Sequence, residues 1–484
     1  MLIDLAATAK VFHTPTGIAY ADLTMDGHRE TWPVRGPRLR AWLRRRYYEA
    51  TRNVPTAPAL SAALNLLEAR AQFDGPERIV HVRVAEHDGQ IYLDLADATW
   101  SAIEIGPHGW RVVEEPPVRF RRPPGLLPLP MPERGGSIEA LGTFLNLSDR
   151  NDFVLLVSWL LASLRPGGPY PLLAVSGEQG SAKTVLSKLL KALIDPNAAP
   201  VRATAREERE LMIAASNGHL LVFDNLSGLP AWLSDALCRL ASGGSFAVRR
   251  LYTDEEEVLF QAARPILLNG IEDVVSRADL ADRAIFLTLT PIGEQQRRAE
   301  TELWHTFEIE RPRILGALLT AAVHGLRELP RVRLQRLPRM ADFAIWATAC
   351  ETAMWPCGTF AHAYETNRRA AIESIIDADP VAAWVREVIA ERNSWTGSAT
   401  DLLQLGANRS EGIFGTGWPK NPRTLACRLR RAQTFLRALG IEIAFGREGR
   451  AGSRVIRIRS TLENTVSVVS TGSVQYNGSR FGSA

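Results

Sequence analysis

Residues 171 to 193 constrain this chain more than any other stretch. Pro171-Leu172-Leu173-Ala174-Val175 is apolar throughout, as a strand covered on both faces must be. Gly177-Glu178-Gln179-Gly180-Ser181-Ala182-Lys183-Thr184 follows, and Val185 to Leu193 carries a helical pattern. Strand, glycine-bearing loop and helix form the layout of a phosphate-binding loop. Loop N–H groups and a helix N-terminus converge on one point and favour an anion there. In that layout residues Gly177, Glu178, Gln179, Gly180, Ser181, Ala182, Lys183 and Thr184 surround the triphosphate of ATP. Lys183 reaches the β- and γ-phosphates, and the Thr184 hydroxyl sits on Mg²⁺. Ala182 stands where a last glycine normally precedes the lysine, and its methyl group crowds a close backbone approach. The competing reading is a glycine-rich turn with a chance Lys-Thr, which the flanking strand and helix disfavour.

Length and composition allow several domains of a soluble globular protein: 484 residues, 46% hydrophobic and 23% charged. Cys238, Cys350, Cys357 and Cys427 have neither metal-ligand nor disulfide-framework spacing, which fits a reducing cytoplasm. The longest apolar run, Phe153 to Leu164, is shorter than the ~20 residues a membrane span requires, so no membrane partner is expected. Net charge is +4, but unevenly spread. From Trp418 to Ser460 eleven Lys and Arg face only Glu442 and Glu448, a local excess of +9 that suggests a nucleic-acid contact.

The pattern along the chain predicts an N-terminal α+β domain over 1–115. Its helices are expected near 38–50 and 57–71, and its strands near 79–84, 90–95 and 110–113. Pro116 to Pro132 predicts an extended linker over 116–134. A P-loop ATPase domain over 135–296 follows, with a helix over 148–164 and apolar strands at 220–223, 265–268 and 284–289 separated by helices. That alternation implies a parallel sheet. Residues 297–391 read as a helical lid, 393–400 as a polar break, 398–460 as a basic module and 461–484 as a disordered tail.

Downstream residues give the loop its chemistry. His219-Leu220-Leu221-Val222-Phe223-Asp224-Asn225 is an apolar strand ending in an acid, 41 residues after Lys183. Asp224 there is placed to hold Mg²⁺ through its bound water. Asn225 stands where a water-activating glutamate often follows, so no general base is identified. Pro265-Ile266-Leu267-Leu268-Asn269 puts an amide, Asn269, at another strand end, where it can meet a γ-phosphate or the attacking water. Ser276-Arg277 to Arg283-Ala284 offers two arginines to a neighbouring subunit's site, Arg283 first and Arg277 second. A surface or ion-paired arginine is the alternative for each.

Two stretches suit DNA. Phe246 to Tyr252 and Val258 to Phe260 read as a hairpin with a basic aromatic arm. Arg249, Arg250 and Tyr252 could grip a single strand. The acidic tip, Asp254 to Glu257, opposes that reading. Near the C-terminus Pro422 opens a helix to Leu439, with Leu425, Leu429, Phe435, Leu436 and Leu439 as its buried stripe. Arg428, Arg430, Arg431 and Arg437 lie on other faces. Ile441–Phe445 and Val455–Ile458 form a hairpin around Arg447, Arg450 and Arg454. A basic helix and a basic wing recur in duplex DNA binding, while a solvated helix packed on the ATPase is the plainer reading.

GEQGSAKT, LLVFDN, RPILLNG and SRADLADR, in that order, resemble the AAA+ ATPase domain of superfamily 3-type helicases, above all phage and plasmid primase–helicases. The resemblance covers roughly 135–330, and residues 398–460 are similar to the winged-helix ending of such proteins. It implies an α/β P-loop NTPase with an AAA+ type parallel sheet, an N-terminal α+β domain and a C-terminal winged helix-turn-helix domain. It also implies a homo-oligomeric ring, a hexamer, with single-stranded DNA in its pore and duplex at the winged helix. ATP and Mg²⁺ are the implied cofactors. Residues 1–130 show neither paired DxD acids nor zinc-ligating cysteines, so primase activity is not expected, and a separate primase is a further expected partner. The implied function is an ATP-dependent DNA helicase of a mobile element, acting in replication. An initiator ATPase without processive unwinding, or a DNA-binding regulator using ATP as an assembly switch, are the alternatives.

Overall fold

Two Asp–Gly pairs organise the N-terminal region. Asp26 and Gly27 (φ +47° and +87°), and Asp88 and Gly89 (φ +51° and +73°), take the left-handed backbone that a two-residue hairpin turn demands. The first turn joins β2 to β3 in an antiparallel sheet of β1 (Lys10–His13), β2 (Ala19–Met25) and β3 (His28–Pro33). Helices α1 (Pro37–Thr51) and α2 (Ala57–Phe73) share a core with that sheet through Leu39, Leu43, Leu60, Leu64 and Leu67. The second turn joins β4 (Val84–His87) to β5 (Gln90–Asp94), in an antiparallel sheet completed by β6 (Ala102–Gly106) and β7 (Gly109–Val113). Strands β1 to β3 and β6 are additions to what the pattern predicts, and the strand expected near 79–84 is confined to Val80–His81, broken by Arg83 (φ +64°) before β4 begins.

A computed structural model describes residues 1–249, 257–271, 278–407, 418–448 and 453–461 of the chain. It divides into two compact units, Met1–Ala371 and Ile372–Ala484.

The expected N-terminal domain is not one body. Residues 2–71 keep their own core, joined by Trp100, whereas Ile91, Leu93, Ile103, Ile105 and Trp110 belong to the main core of the first unit. The Pro-rich segment is extended, as its prolines require, but it is packed and does not act as a free spacer. Val118, Phe120 and Leu129 are buried, and the Leu129 N–H donates to Leu95 O at 2.9 Å. Arg121 donates to Ser216 O and Asn217 Oδ1, and Arg122 to both carboxylate oxygens of Asp94. Backbone meets backbone where the segment crosses α7 (Glu300–Glu328): a Cβ on Gly316 would lie 1.7 Å from Glu133 O, so only glycine fits.

α3 (Arg150–Ser163), capped by Asp149, is buried along nearly its whole length and leads to the central sheet. The central elements are β8 (Leu172–Gly177), α4 (Lys183–Ile194), α5 (Glu208–Asn217), β9 (Leu221–Leu226) and α6 (Ala231–Ser242). The hairpin β10 (Ser245–Arg249) and β11 (Glu257–Gln261) follows, then β12 (Ile266–Gly270) and β13 (Ala284–Leu289). The sheet order is β9-β12-β8-β13, all parallel. Its strands are apolar along their length, as the sequence predicts for a sheet covered on both faces. α8 (Ala341–Glu351) packs on α7 and α3, and the unit ends within α9 (Thr359–Ala378). Asn367 of α9 closes the free edge of β13 by bonding Phe286 N and O.

The second unit contains α10 (Pro380–Arg392), β14 (Ser394–Gly397), α11 (Ala399–Ala407), α12 (Pro422–Ala438), β15 (Ile441–Glu448) and β16 (Ser453–Ser460). Its antiparallel sheet runs β14-β16-β15. The expected polar break at 393–400 therefore contains a strand, because Ser394–Gly397 completes the hairpin's open edge. Helix α12 matches its expected bounds. Asn421 Oδ1 accepts from Thr424 N at 2.8 Å, and Leu425, Leu429, Phe435 and Leu436 are buried. The tail 462–484 lies outside the described residues.

Candidate functional site

The C-terminal ends of parallel strands are where an open α/β sheet builds its sites. β8 delivers Gly177 there, β9 Asp224 and β12 Asn269. The loop after β8 holds three residues with positive φ: Gly177 (+149°), Gly180 (+83°) and Ala182 (+63°). Gly177 has no alternative, since a Cβ would fall 2.4 Å from Leu289 O. Ala182 occupies a left-handed position that glycine would take at lower cost, about 1–2 kcal/mol for an L-residue.

The loop wraps around Lys183, whose Nζ donates to Gly177 O at 2.6 Å, Glu178 O at 2.8 Å and Ser181 Oγ at 3.3 Å. Partial burial draws the Lys183 pKa below the ordinary lysine value, against the opposing pull of the Asp224 carboxylate. Thr184 Oγ1 donates to Asp224 Oδ1 at 2.9 Å and Oδ2 at 3.2 Å. These residues line a cleft of about 600 Å³ with Gly180, Asn225 and Asn269. Its continuation, between Gln179, Gly180 and Ala182, is walled by Arg297.

Asn269 is placed where the sequence predicts but is already engaged. It is 1% exposed, its Oδ1 accepts from Asn225 N at 2.9 Å and its Nδ2 donates to Ser187 Oγ at 2.7 Å. It thereby ties the end of β9 to α4. Arg283 is not brought to this cleft. β8 and β13 align Leu172 with Ala284 and Gly177 with Leu289, so Arg283 lies about 20 Å along the strand from the loop. Its Nε is buried with no hydrogen-bond partner. Arg277, Arg250 and Tyr252 lie outside the described residues, and the backbone register sets Arg249 opposite Glu257.

Two residues at the loop carry no motif signal. Asn146 Nδ2 donates to Ser181 O at 3.1 Å and Thr290 O at 2.7 Å, fixing the loop from behind. Arg297 stands in a polar run whose place beside the loop only the fold reveals.

The far end of α4 is a sealed ionic cluster. Asp195 and Arg83 are both 0% exposed. Asp195 Oδ1 accepts from Arg83 Nε at 3.1 Å, and its Oδ2 from Lys191 Nζ at 2.7 Å, His219 N and Leu220 N. Burial pushes the Asp195 carboxyl up, but the cations of Lys191 and Arg83 outweigh it and hold the group well below the carboxylate range. Burial lowers the His219 pKa from 6.5 to about 4, with Nε2 at 2.6 Å from Ser163 O.

In the second unit Arg430, Arg431, Arg447 and Arg454 are exposed, and Arg428 is half-buried. Arg447 and Arg454 are direct cross-strand partners, an arrangement of like charges that weakens a hairpin standing alone. The Arg430 guanidinium lies 4.6 Å from the Phe445 ring centroid. Arg457 and Arg459 are neutralised by Glu448 and Glu442. Arg450 lies outside the described residues.

Fold and cleft together define a parallel α/β protein with a glycine-bearing loop between strand and helix. Residues 138–376 match the family described as Actinomycete integrative conjugative element replication protein, and 381–471 match the C-terminal domain of the same family. The two matches take in about two thirds of the chain, which belongs to this family of replication proteins of a mobile element. No curated protein matches it. Among solved structures, the apo A form of the NrS-1 C-terminal region aligns at TM-score 0.41 and 13% identity, over 95% of this chain and 99% of that one. A second apo structure of that region gives 0.40 and 12%, over 95% and 98%. A JCV helicase with a small molecule bound gives 0.25 and 13%, over 43% and 67%. No likeness at these scores bears on mechanism. Among the described residues no helix is long and apolar enough to cross a membrane.

Proposed function

We propose that this replication protein is an ATP-dependent DNA helicase that hydrolyses ATP between subunits of a ring. The observation that carries the reading is the convergence, at the ends of β8 and β9, of the Lys183 loop with the Thr184–Asp224 pair. The hard oxygens of Thr184, directly, and of Asp224, through a bound water, would suit Mg²⁺, which takes few protein ligands and completes its shell with water and phosphate oxygens. When bound, the ion neutralises charge on the β- and γ-phosphates. Lys183 exchanges its loop carbonyl partners for phosphate oxygens. Asn269 holds Asn225 and α4 in register, acting through them as a positioning residue.

Arg283 is too far from its own cleft to serve it, so a role at a nucleotide would be on a neighbour's. The basic hairpin and α12 would then hold duplex DNA, as a winged helix does. Asn225, where a catalytic glutamate is common, favours a second reading in which ATP serves as an assembly switch.

ATP turnover with and without single-stranded DNA, together with strand displacement on a forked duplex, separates the two. The helicase reading expects DNA-stimulated turnover and displacement. Lys183→Ala should reduce turnover to background. Arg283→Ala should lose hydrolysis but keep nucleotide binding, and mixing the two variants should restore activity at hybrid interfaces. Turnover that persists in Lys183→Ala would discard the loop assignment. Binding without turnover in the wild type would leave the switch.

A further inference from the structure

Helix α1 carries a second concentration of positive charge that no role above uses. From Arg35 to Arg52 there are seven arginines and one acid, Glu49, an excess of +6. Taken with the +9 over 418–460, this leaves −11 for the rest of a chain whose total is +4. Residues 35–52 and 418–460 thus carry a positive excess on a chain whose remainder is net acidic.

Arg38, Arg40, Arg44, Arg45, Arg46 and Arg52 are exposed. Some are accounted for locally: Arg35 pairs with Glu68, Arg38 with Glu30 at 3.4 Å and Arg45 with Glu49 at 2.8 Å. Arg40, Arg44, Arg46 and Arg52 have no carboxylate at ion-pairing distance among the described residues. Arg40 and Arg44 stand one helical turn apart, where like charges destabilise a helix. A helix built only to be solvated would interleave acids at those spacings. Leu39 and Leu43, both 0% exposed, anchor one face in the N-terminal core; at about 3.6 residues per turn Arg40, Arg44, Tyr48 and Arg52 form a stripe turned away from it, while Arg46 lies on the flank beside Leu39. Tyr48, half exposed, lies one turn beyond Arg44 and carries the Arg52 guanidinium 5.8 Å from its ring centroid, as Trp42 carries that of Arg46 at 6.0 Å.

We propose that the exposed face of α1 binds the phosphodiester backbone of DNA, without base readout and without need of ATP. Rigidly presented arginines spaced along one helix match the regular negative charge of a nucleic-acid strand. This contact is separate from the basic hairpin of the second unit and stands whether or not ATP is hydrolysed.

The test uses the full chain, without nucleotide, and a fluorescein-labelled DNA oligonucleotide, single-stranded in one arm and duplex in the other. Anisotropy is followed across a KCl series. In Arg40→Gln/Arg44→Gln/Arg52→Gln the slope of log affinity against log salt should fall by about 0.9 per lost contact on duplex, or about 0.7 on a single strand. The arm with the larger change identifies the form of DNA bound. The corresponding triple lysine variant should keep the wild-type slope. The same changes are made in an Arg430→Ala/Arg431→Ala/Arg447→Ala background, so that the second basic surface cannot mask the first. Thermal unfolding of each variant should match its parent, because every altered side chain is exposed. Unchanged affinity and slope in both backgrounds overturn the proposal, as does a wild type that binds neither form at low salt. Basal ATP turnover is the independent readout, and its loss in wild type would count against the helicase reading alone.

Discussion

Helix α4 has two ends in opposite environments. At its N-terminus a loop with three left-handed residues curls around the half-buried Lys183 and opens on a cleft. At its C-terminus Asp195 is shut away from water between Arg83 and Lys191, with both carboxylate oxygens bonded. The open end keeps a methyl group where glycine would be cheaper, and a lysine bonded to its own loop. The closed end fixes the direction in which the helix points. The same helix thus separates adaptability from alignment, and the two should respond to substitution in opposite currencies.

The largest effect is expected at the closed end. Asp195→Ala leaves Arg83 and Lys191 buried without a counter-charge and should lower unfolding stability by about 3–5 kcal/mol. Denaturant unfolding measures it, and a loss under about 1 kcal/mol would mean the cluster is not sealed. Asp195→Asn, which keeps an oxygen acceptor, should cost less. Acid probes the same end through His219. Its folded pKa of about 4 lies below the unfolded 6.5, so only the unfolded chain takes up that proton between those values. Stability from this group is full above pH 6.5 and falls as pH drops toward 4, by up to about 3 kcal/mol. His219→Gln should flatten that part of a melting-temperature profile, and an unaltered profile would contradict the burial argument. The smallest effect lies at the open end. Ala182→Gly relieves the left-handed backbone and should raise stability by about 1 kcal/mol, offset in part by glycine's greater freedom when unfolded. A destabilised variant would show that the methyl group makes a contact that outweighs its strain.

The open end was legible in the sequence and the closed end was not. Lys183, Thr184 and Asp224 announce themselves because loop, helix start and strand end are local patterns, and the sheet aligns them as those patterns require. Asp195 and Arg83 are 112 residues apart and belong to no motif, so their meeting depends on tertiary packing. Asn269 shows a middle case: its place at a strand end was readable, but its engagement with Asn225 and Ser187 was not. The β2–β3 hairpin was readable in principle from Asp26-Gly27 between alternating strands. The Pro-rich stretch misleads for a physical reason. Proline dictates an extended backbone but says nothing of whether neighbours cover it, and here Gly316 lets α7 come against it.

The reach of Arg83 into the base of α4 also bears on how such a gene can be divided or exchanged. The family match begins at residue 138, yet the carboxylate at the base of α4 is held by an arginine that precedes that boundary by 55 positions. A fragment begun at the family boundary would leave Asp195 short of a cation and strip the β4–β7 sheet from a shared core. The inheritable module is therefore longer than the stretch that sequence comparison delimits, and recombination between mobile elements would have to carry the N-terminal sheet along with it.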